Sequence, residues 1–238
     1  MTITNAEILS GVVFDLDGTL VDTAADICQA LNDALATRGL SPLAVPSVRL
    51  MVGAGPQVLV KRALHMLDVP ARVSLVDYLT REFERSYVER GNRQSRLFDG
   101  VESCLSELNA RRVPMGVCSN KPHHLCLAGL SDLGVLRYFT AINGTSPGVP
   151  KKPDPTLLLR TLDRLGSRPQ SALDIGDSET DVTTARAAGV PVALVRYGYT
   201  AKPADELGAD LVVNTLADLR RILFIPPTAR PLLRSATS

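Results

Sequence analysis

An α/β fold built on a parallel sheet, with a helical segment inserted near its start, is predicted by three features of this 238-residue sequence. From Phe98 onward, short β-branched runs alternate with helix-like stretches of roughly ten residues, the pattern of parallel βαβ units. Between about Asp22 and Arg93 the alternation stops, and apolar residues recur at helical spacing with no convincing strand. The apolar strand at residues 12–14 runs directly into Asp15-Leu16-Asp17-Gly18-Thr19. Two carboxylates therefore lie where open parallel sheets bind ligands, beyond the carboxyl ends of the strands. These features divide the chain into a Rossmann-like core of residues 1–20 plus 95–225, a helical cap of residues 21–94 and a C-terminal tail of residues 226–238.

Taken in order, residues 1–11 lead into the first strand and carry no motif. Ile27, Leu31 and Leu35 mark the first helix of the insert, which Gly39-Leu40-Ser41-Pro42 and Val69-Pro70 punctuate. Residues 58–64 and 75–88 read as further amphipathic helices. In the core, a helix at 101–111 precedes a strand at 113–118, and a helix at 122–133 precedes a short strand at 139–142. A helix at 154–165 leads to a strand at 172–175. Glu179–Ala188, closed by Gly189, is helical, and Val192–Val195 and Leu211–Val213 are strands before a last helix at 216–223. The proline-rich tail from Pro226 is expected to be loosely ordered.

Composition excludes several functions. With 45% hydrophobic residues and 26 basic against 25 acidic side chains, the chain shows no general surface for nucleic acid or membrane. No apolar run is long enough to cross a bilayer, and no signal-peptide core is visible. Cys28, Cys104, Cys118 and Cys126 lack Cys-x-x-Cys spacing, which predicts reduced thiols and a cytoplasmic protein rather than a zinc site or disulfides. Gly53-Ala54-Gly55 does not follow a strand, so it is no dinucleotide fingerprint, and no P-loop is present. His65, His123 and His124 lack metal-binding spacing with acids.

Two acids spaced i, i+2 at a strand end repel each other and resist burial, unless a divalent cation lies between them. In isolation they would equally suit a solvated turn. Asp15-Leu16-Asp17-Gly18-Thr19 after an apolar strand resembles the first motif of the haloacid dehalogenase-like hydrolases, most of which are magnesium-dependent phosphatases. The family's other motifs follow in order: a Ser or Thr at Ser119, a Lys at Lys152 in Lys151-Lys152-Pro153-Asp154-Pro155, and acids in Gly176-Asp177-Ser178-Glu179-Thr180-Asp181.

The resemblance implies a role for each residue. Asp15 is the nucleophile and Asp17 the general acid and base, with the Asp17 backbone carbonyl and the carboxylates of Asp15 and Asp177 on Mg²⁺. Asp181 holds a metal-bound water; its competing reading is an acid stabilised by the start of a helix. Ser119 donates to phosphate oxygens, Lys152 balances the charge of nucleophile and phosphoryl group, and Thr19 orients the loop or contacts phosphate. Asn120 is a weaker substrate contact, and Lys121 reads as a solvated charge where a helix begins. Asp174 interrupts an apolar strand, and the residues give it no role.

Four longer stretches narrow the resemblance to the family's bacterial phosphoglycolate phosphatase branch: Val48 through Gly55, Cys118 through Pro122, Pro150 through Pro155, and Arg196 through Thr200. This implies a small phosphate ester, 2-phosphoglycolate, as substrate, with the protein a monomer or homodimer. The substrate carboxylate would be read from the cap, by amides near Gly53 and Gly55 or by Arg49, with Lys61 and Arg62 as further candidates. The four motifs fit equally a phosphatase of another small metabolite or a β-phosphoglucomutase-like transferase. A catalytically silent binding module would typically have lost a motif residue, and a dehalogenase lacks the second acid.

Overall fold

A computed structural model of the chain describes residues 9–224, so the tail expected at 226–238 lies outside the described residues. The strands, in chain order, are Gly11–Phe14 (β1), Val21–Asp22 (β2), Arg96–Leu97 (β3), Met115–Pro122 (β4), Ala141–Thr145 (β5), Ala172–Gly176 (β6), Val192–Val195 (β7) and Leu211–Val213 (β8). Six of them form a sheet of order β5-β4-β1-β6-β7-β8, parallel throughout, while β2 and β3 pair as a small antiparallel ribbon. The helices are Ala24–Ala36 (α1), Val45–Arg49 (α2), Pro56–Met66 (α3), Val73–Arg90 (α4), Val101–Ala110 (α5), His123–Asp132 (α6), Thr156–Leu165 (α7), Glu179–Ala188 (α8) and Leu216–Phe224 (α9).

The central strand shows why the sheet needs a continuous apolar run. Helices cover both faces, so side chains pointing either way must be buried. Val12 and Phe14 enter a cluster with Leu105 and Leu108 of α5, Leu130 of α6 and Leu219 of α9. Val13, pointing the other way, packs with Leu158 and Leu162 of α7 and Val182 and Ala185 of α8. The order reverses about β1, whose neighbours are β4 and β6. A crevice therefore opens beyond its carboxyl end, where Asp15 lies.

The insert has a hydrophobic cluster of its own. Ile27, Leu31 and Leu35 of α1 meet Leu59 and Leu64 of α3 and Leu79 and Phe83 of α4. Leu125 of the core helix α6 belongs to the same cluster, so the cap rests on the core there. The β2–β3 ribbon, with Val21 opposite Leu97, brings together the two chain segments that pass between core and cap. The sequence reading anticipated neither strand of this ribbon, because two-residue strands carry no periodicity.

Other boundaries differ for local reasons. β4 extends past the predicted end at residue 118 through Ser119, Asn120 and Lys121, with a register shift against β5 between Cys118 and Pro122. Those three polar residues are buried, so the apolar pattern stops before the strand does. β5 starts at Ala141 rather than 139, because a 3₁₀ turn at Leu136–Tyr138 ends on Phe139. All four cysteines are buried and unpaired.

Candidate active site

Three carboxylates converge past the strand ends. Asp15 follows β1, Asp177 follows β6 and Asp181 sits in the first turn of α8; each offers an oxygen within 4.8 Å of the others. Lys152, from the loop after β5, reaches in at 3.0 Å from Asp15 Oδ1 and 2.6 Å from Asp181 Oδ1. Burial pushes the Asp15 carboxyl up to about 6, against the pull of Lys152. Burial, and then the charges of Asp181 and Asp15, also hold Asp177 well above the ordinary carboxylate range. Asp181 goes the other way: burial opposes its ionisation, but Lys152 and the Ser178 hydrogen bond outweigh that and lower it. Burial would likewise discharge Lys152, yet Asp15 and Asp181 keep it firmly protonated.

Three acids around one ammonium leave an excess of negative charge, and oxygen donors in this number suit a hard divalent cation. Asp181 Oδ2 is already occupied, accepting from the Ser178 hydroxyl at 2.6 Å and from the Ser178 and Asp177 amides at 3.0 and 3.2 Å. It therefore caps α8 and fixes the Asp177 turn at the same time. Asp177 Oδ2 accepts from the Tyr199 amide at 2.6 Å. Gly176 and Gly198 line this turn so closely that a Cβ at either would overlap Asp181 or Asp177. Asp174, buried below the cluster, has its carboxyl held well up by that burial.

Asp17 stands apart from the three acids. Its Oδ1 accepts from Thr23 Oγ1 at 2.8 Å and from Lys121 Nζ at 3.0 Å. The expectation that Lys121 is a solvated charge is corrected here: it is buried, and its ammonium also donates to the Tyr87 hydroxyl of α4 at 3.0 Å. Burial opposes that charge, but Asp17 and Tyr87 more than compensate, raising it above the usual lysine range. Its position at the end of a strand, beside a helix, conceals this from the sequence, because a buried ion pair has no periodicity.

Ser119, buried, accepts from the Lys121 amide at 3.3 Å. The Thr19 hydroxyl is buried without a hydrogen-bond partner. Asn120 serves as a tie between loops: its amide donates to Gly53 O and Lys152 O, both at 3.0 Å, and its carbonyl accepts from the Lys152 amide at 2.8 Å. These bonds occupy the side chain proposed above as a substrate contact, and they hold Lys152 and the cap loop at Gly53 together.

The cleft over Asp15 and Asp17 is walled by Gly53, Gly55 and Pro56 ahead of and at the start of α3, by Ile27, Leu59 and Phe83, and by residues 119–122 and Leu125 of the core. Gly55 is held at φ 86°, and a Cβ there would press on Lys151 Nζ at 3.2 Å and Asn120 O at 3.3 Å. Arg49 is not among the lining residues. It donates to Tyr197 O at 2.6 Å and lies over the Tyr199 ring, 4.9 Å from its centroid, so it bridges cap and core. Arg62 lines a polar recess beside Asp17 and Asp177, and Lys61 is exposed.

Sequence reasoning missed Lys121, Tyr87 and the Tyr197–Tyr199 segment as parts of this site. Tyr199 accepts from the Thr23 and Ala24 amides at 2.7 and 3.1 Å and donates to Asp22 at 2.6 Å. Tyr197 donates to Thr19 O at 2.6 Å. The available signal was the stretch from Arg196 to Thr200, two tyrosines flanking a glycine directly after a strand.

Comparison with known proteins identifies the family. The family model described as haloacid dehalogenase-like hydrolase matches residues 12–195. A phosphoglycolate phosphatase of Agrobacterium fabrum is 36% identical over 212 residues, covering 89% of this chain and 91% of the relative. One from Caulobacter vibrioides is 37% identical over 220 residues, covering 92% and 93%. The crystal structure of a predicted phosphoglycolate phosphatase from Haemophilus somnus superposes with a TM-score of 0.84 at 28% identity, covering 90% of this chain and 97% of that one. Fold, ordered motifs and full-length similarity agree, and the chain belongs to the haloacid dehalogenase-like hydrolase family.

Proposed function

We propose that this hydrolase is a magnesium-dependent phosphatase that converts 2-phosphoglycolate and water to glycolate and phosphate. The observation that carries the chemistry is the buried Asp15 carboxylate, held at 3.0 Å by Lys152 and flanked by Asp177 and Asp181. The substrate rests on the similarity to phosphoglycolate phosphatases, which spans cap and core together.

Asp15 attacks phosphorus, so an Asp15 oxygen–phosphorus bond forms as the bond to the glycolate oxygen breaks. Asp17 gives its proton to that departing oxygen. In the second half-reaction water attacks the aspartyl-phosphate, Asp17 takes the proton back, and phosphate leaves with Asp15 restored. Lys152 keeps Asp15 ionised and offsets the charge of the transferring group. Ser119 and the neighbouring amides donate to phosphoryl oxygens. Asp15, Asp177 and the Asp17 carbonyl would hold Mg²⁺, with Asp181 holding a water on it. When bound, the cation supplies positive charge to the phosphoryl oxygens at the moment of transfer. The cap excludes water, so that charges inside act at full strength.

The test is phosphate release by purified protein from 2-phosphoglycolate, glycerol phosphate, a hexose phosphate and pyrophosphate, with magnesium and with chelator. The expected outcome is highest kcat/KM for 2-phosphoglycolate and none in chelator. Preference for another ester would move the substrate while keeping the phosphatase, and full activity in chelator would remove the metal from the reaction.

A further inference from the structure

Among the described residues, Lys121 makes the most unusual use of a charge outside the carboxylate cluster. Its ammonium is 3.0 and 3.4 Å from the two Asp17 oxygens, 3.0 Å from the Tyr87 hydroxyl and 4.4 Å from the Tyr87 ring centroid. Lys121, Asp17 and Tyr87 are 7%, 9% and 2% exposed. Removing an ammonium from water this completely is unfavourable, and the carboxylate and the ring face must offset it. A lysine with only a solubilising role does not occupy such a place.

The three groups come from separate parts of the fold. Asp17 belongs to the loop after β1, Lys121 to β4, and Tyr87 to the last turns of the cap helix α4. Tyr87 in turn donates to Asn92, at the return of the chain toward the core, at 3.2 Å. The Lys121 backbone is fixed beside Ser119, whose hydroxyl accepts its amide proton. Asp17 is thus held by a core cation whose remaining bond is to the cap.

We propose that Lys121 is a positioning residue for the proton-transfer step: it fixes the Asp17 carboxyl for the departing oxygen, and Tyr87 makes that placement depend on a seated cap. This deepens the reading above and rests on Asp17 being the acid. With the cap seated, Tyr87 completes the ammonium's surroundings, and Lys121 at 3.0 Å and Thr23 at 2.8 Å hold Asp17 Oδ1, which leaves Oδ2, 3.4 Å from the ammonium, as the oxygen that carries the proton. With the cap displaced, that bond is lost and the pair is free to reorient. Chemistry is thereby limited to the closed, water-excluding state.

Leaving-group dependence separates this role from a structural one. An alkoxide leaves poorly and needs the Asp17 proton, whereas 4-nitrophenolate departs with little help. The experiment measures kcat and KM of full-length parent, Lys121→Met, Lys121→Arg, Tyr87→Phe and Asp17→Asn with 2-phosphoglycolate, ethyl phosphate and 4-nitrophenyl phosphate. Lys121→Met should lower kcat for both alkyl esters by about 30-fold, a part of what a general acid supplies, and for the aryl ester by less than about 3-fold. KM should move little. Lys121→Arg should recover part of the alkyl loss. Tyr87→Phe, which removes one hydroxyl and keeps the ring, should show the same selectivity at about 5-fold and covers the case in which Lys121→Met does not fold.

Equal losses on all three esters in Lys121→Arg and Tyr87→Phe would overturn the proposal in favour of a purely structural pair. A loss confined to 2-phosphoglycolate would overturn it in favour of carboxylate binding by Lys121. If Asp17→Asn itself shows no leaving-group selectivity, the acid assignment fails and the proposal with it. If that selectivity is present for Asp17→Asn and absent for Lys121→Met, only the role of Lys121 falls.

Discussion

Asp15 is held by opposing forces, burial driving its carboxyl up to about 6 while Lys152 stabilises the charge. Asp15→Asn removes the proposed nucleophile but also one of three crowded acids, and Lys152 keeps Asp181 as partner. Turnover should fall below about one part in a thousand, on the scale of losing a nucleophile. The thermal midpoint should not drop, because an amide is cheaper to bury than a carboxylate. Phosphate release and thermal unfolding on the same preparation check both halves. Gly198 is as consequential as a charged residue here, since a Cβ would overlap Asp177 and displace it from the Tyr199 amide. Gly198→Ala should weaken magnesium binding by about 10–100-fold, the usual effect of disturbing the groups that orient a ligand. Titration calorimetry reads it directly, and unchanged affinity would show that the loop yields instead.

At the scale of elements, Arg49 connects cap and core in the structure. It ends α2, donates to Tyr197 O and covers the Tyr199 ring, joining the cap to the same loop that holds Asp177. Arg49→Ala should therefore lower kcat/KM for 2-phosphoglycolate and 4-nitrophenyl phosphate in equal proportion, by about 1–2 kcal/mol for one charged hydrogen bond. A loss restricted to 2-phosphoglycolate would return Arg49 to carboxylate recognition. The start of α3 is the other cap element at the cleft. Gly55 there combines a positive φ with a close approach to Lys151 and Asn120, so Gly55→Val would strain the backbone and push on both. The expected result is a lower kcat/KM for every ester, read in the same assay.

For the molecule as a whole, the concentrated buried acids tie stability to pH, and the proposed metal site would add a dependence on the cation. Asp15, Asp174 and Asp177 all have carboxyls raised in the folded state, chiefly by burial. A raised acid binds more protons folded than unfolded, so its contribution favours folding at low pH and is lost as pH rises through the folded value, about 6 for Asp15. Asp181, lowered, acts in the opposite sense and at lower pH. Chelated protein should therefore be more stable near pH 5 than near pH 7. Under the proposed metal binding, magnesium should reverse the trend, because a cation favours the ionised carboxylates and stabilises the folded state by mass action. Thermal unfolding at the two pH values, with chelator and with magnesium, checks it; a chelated midpoint that rises steadily from pH 5 to 7 would contradict the electrostatic account.

The sequence by itself determined the sheet, the helical insert and the order of the family's motifs. Buried parallel strands require unbroken apolar runs such as that ending at Phe14, and Glu179–Ala188 is bounded by a serine and a glycine that signal its ends. The acids Asp15 and Asp177 and the cation Lys152 were legible because each stands in a short local pattern. Tertiary structure alone decided what those patterns face. Lys121 looks like a surface charge until β4 is seen to continue beyond its apolar part and α4 to bring Tyr87 over it. For Arg49, the sequence alone does not reveal that the loop after β7 offers it carbonyls and a ring. Local periodicity records whether a position is buried in its own element. The partner of a buried charge comes from residues far away in the chain, 104 positions apart for Asp17 and Lys121, and only packing fixes it.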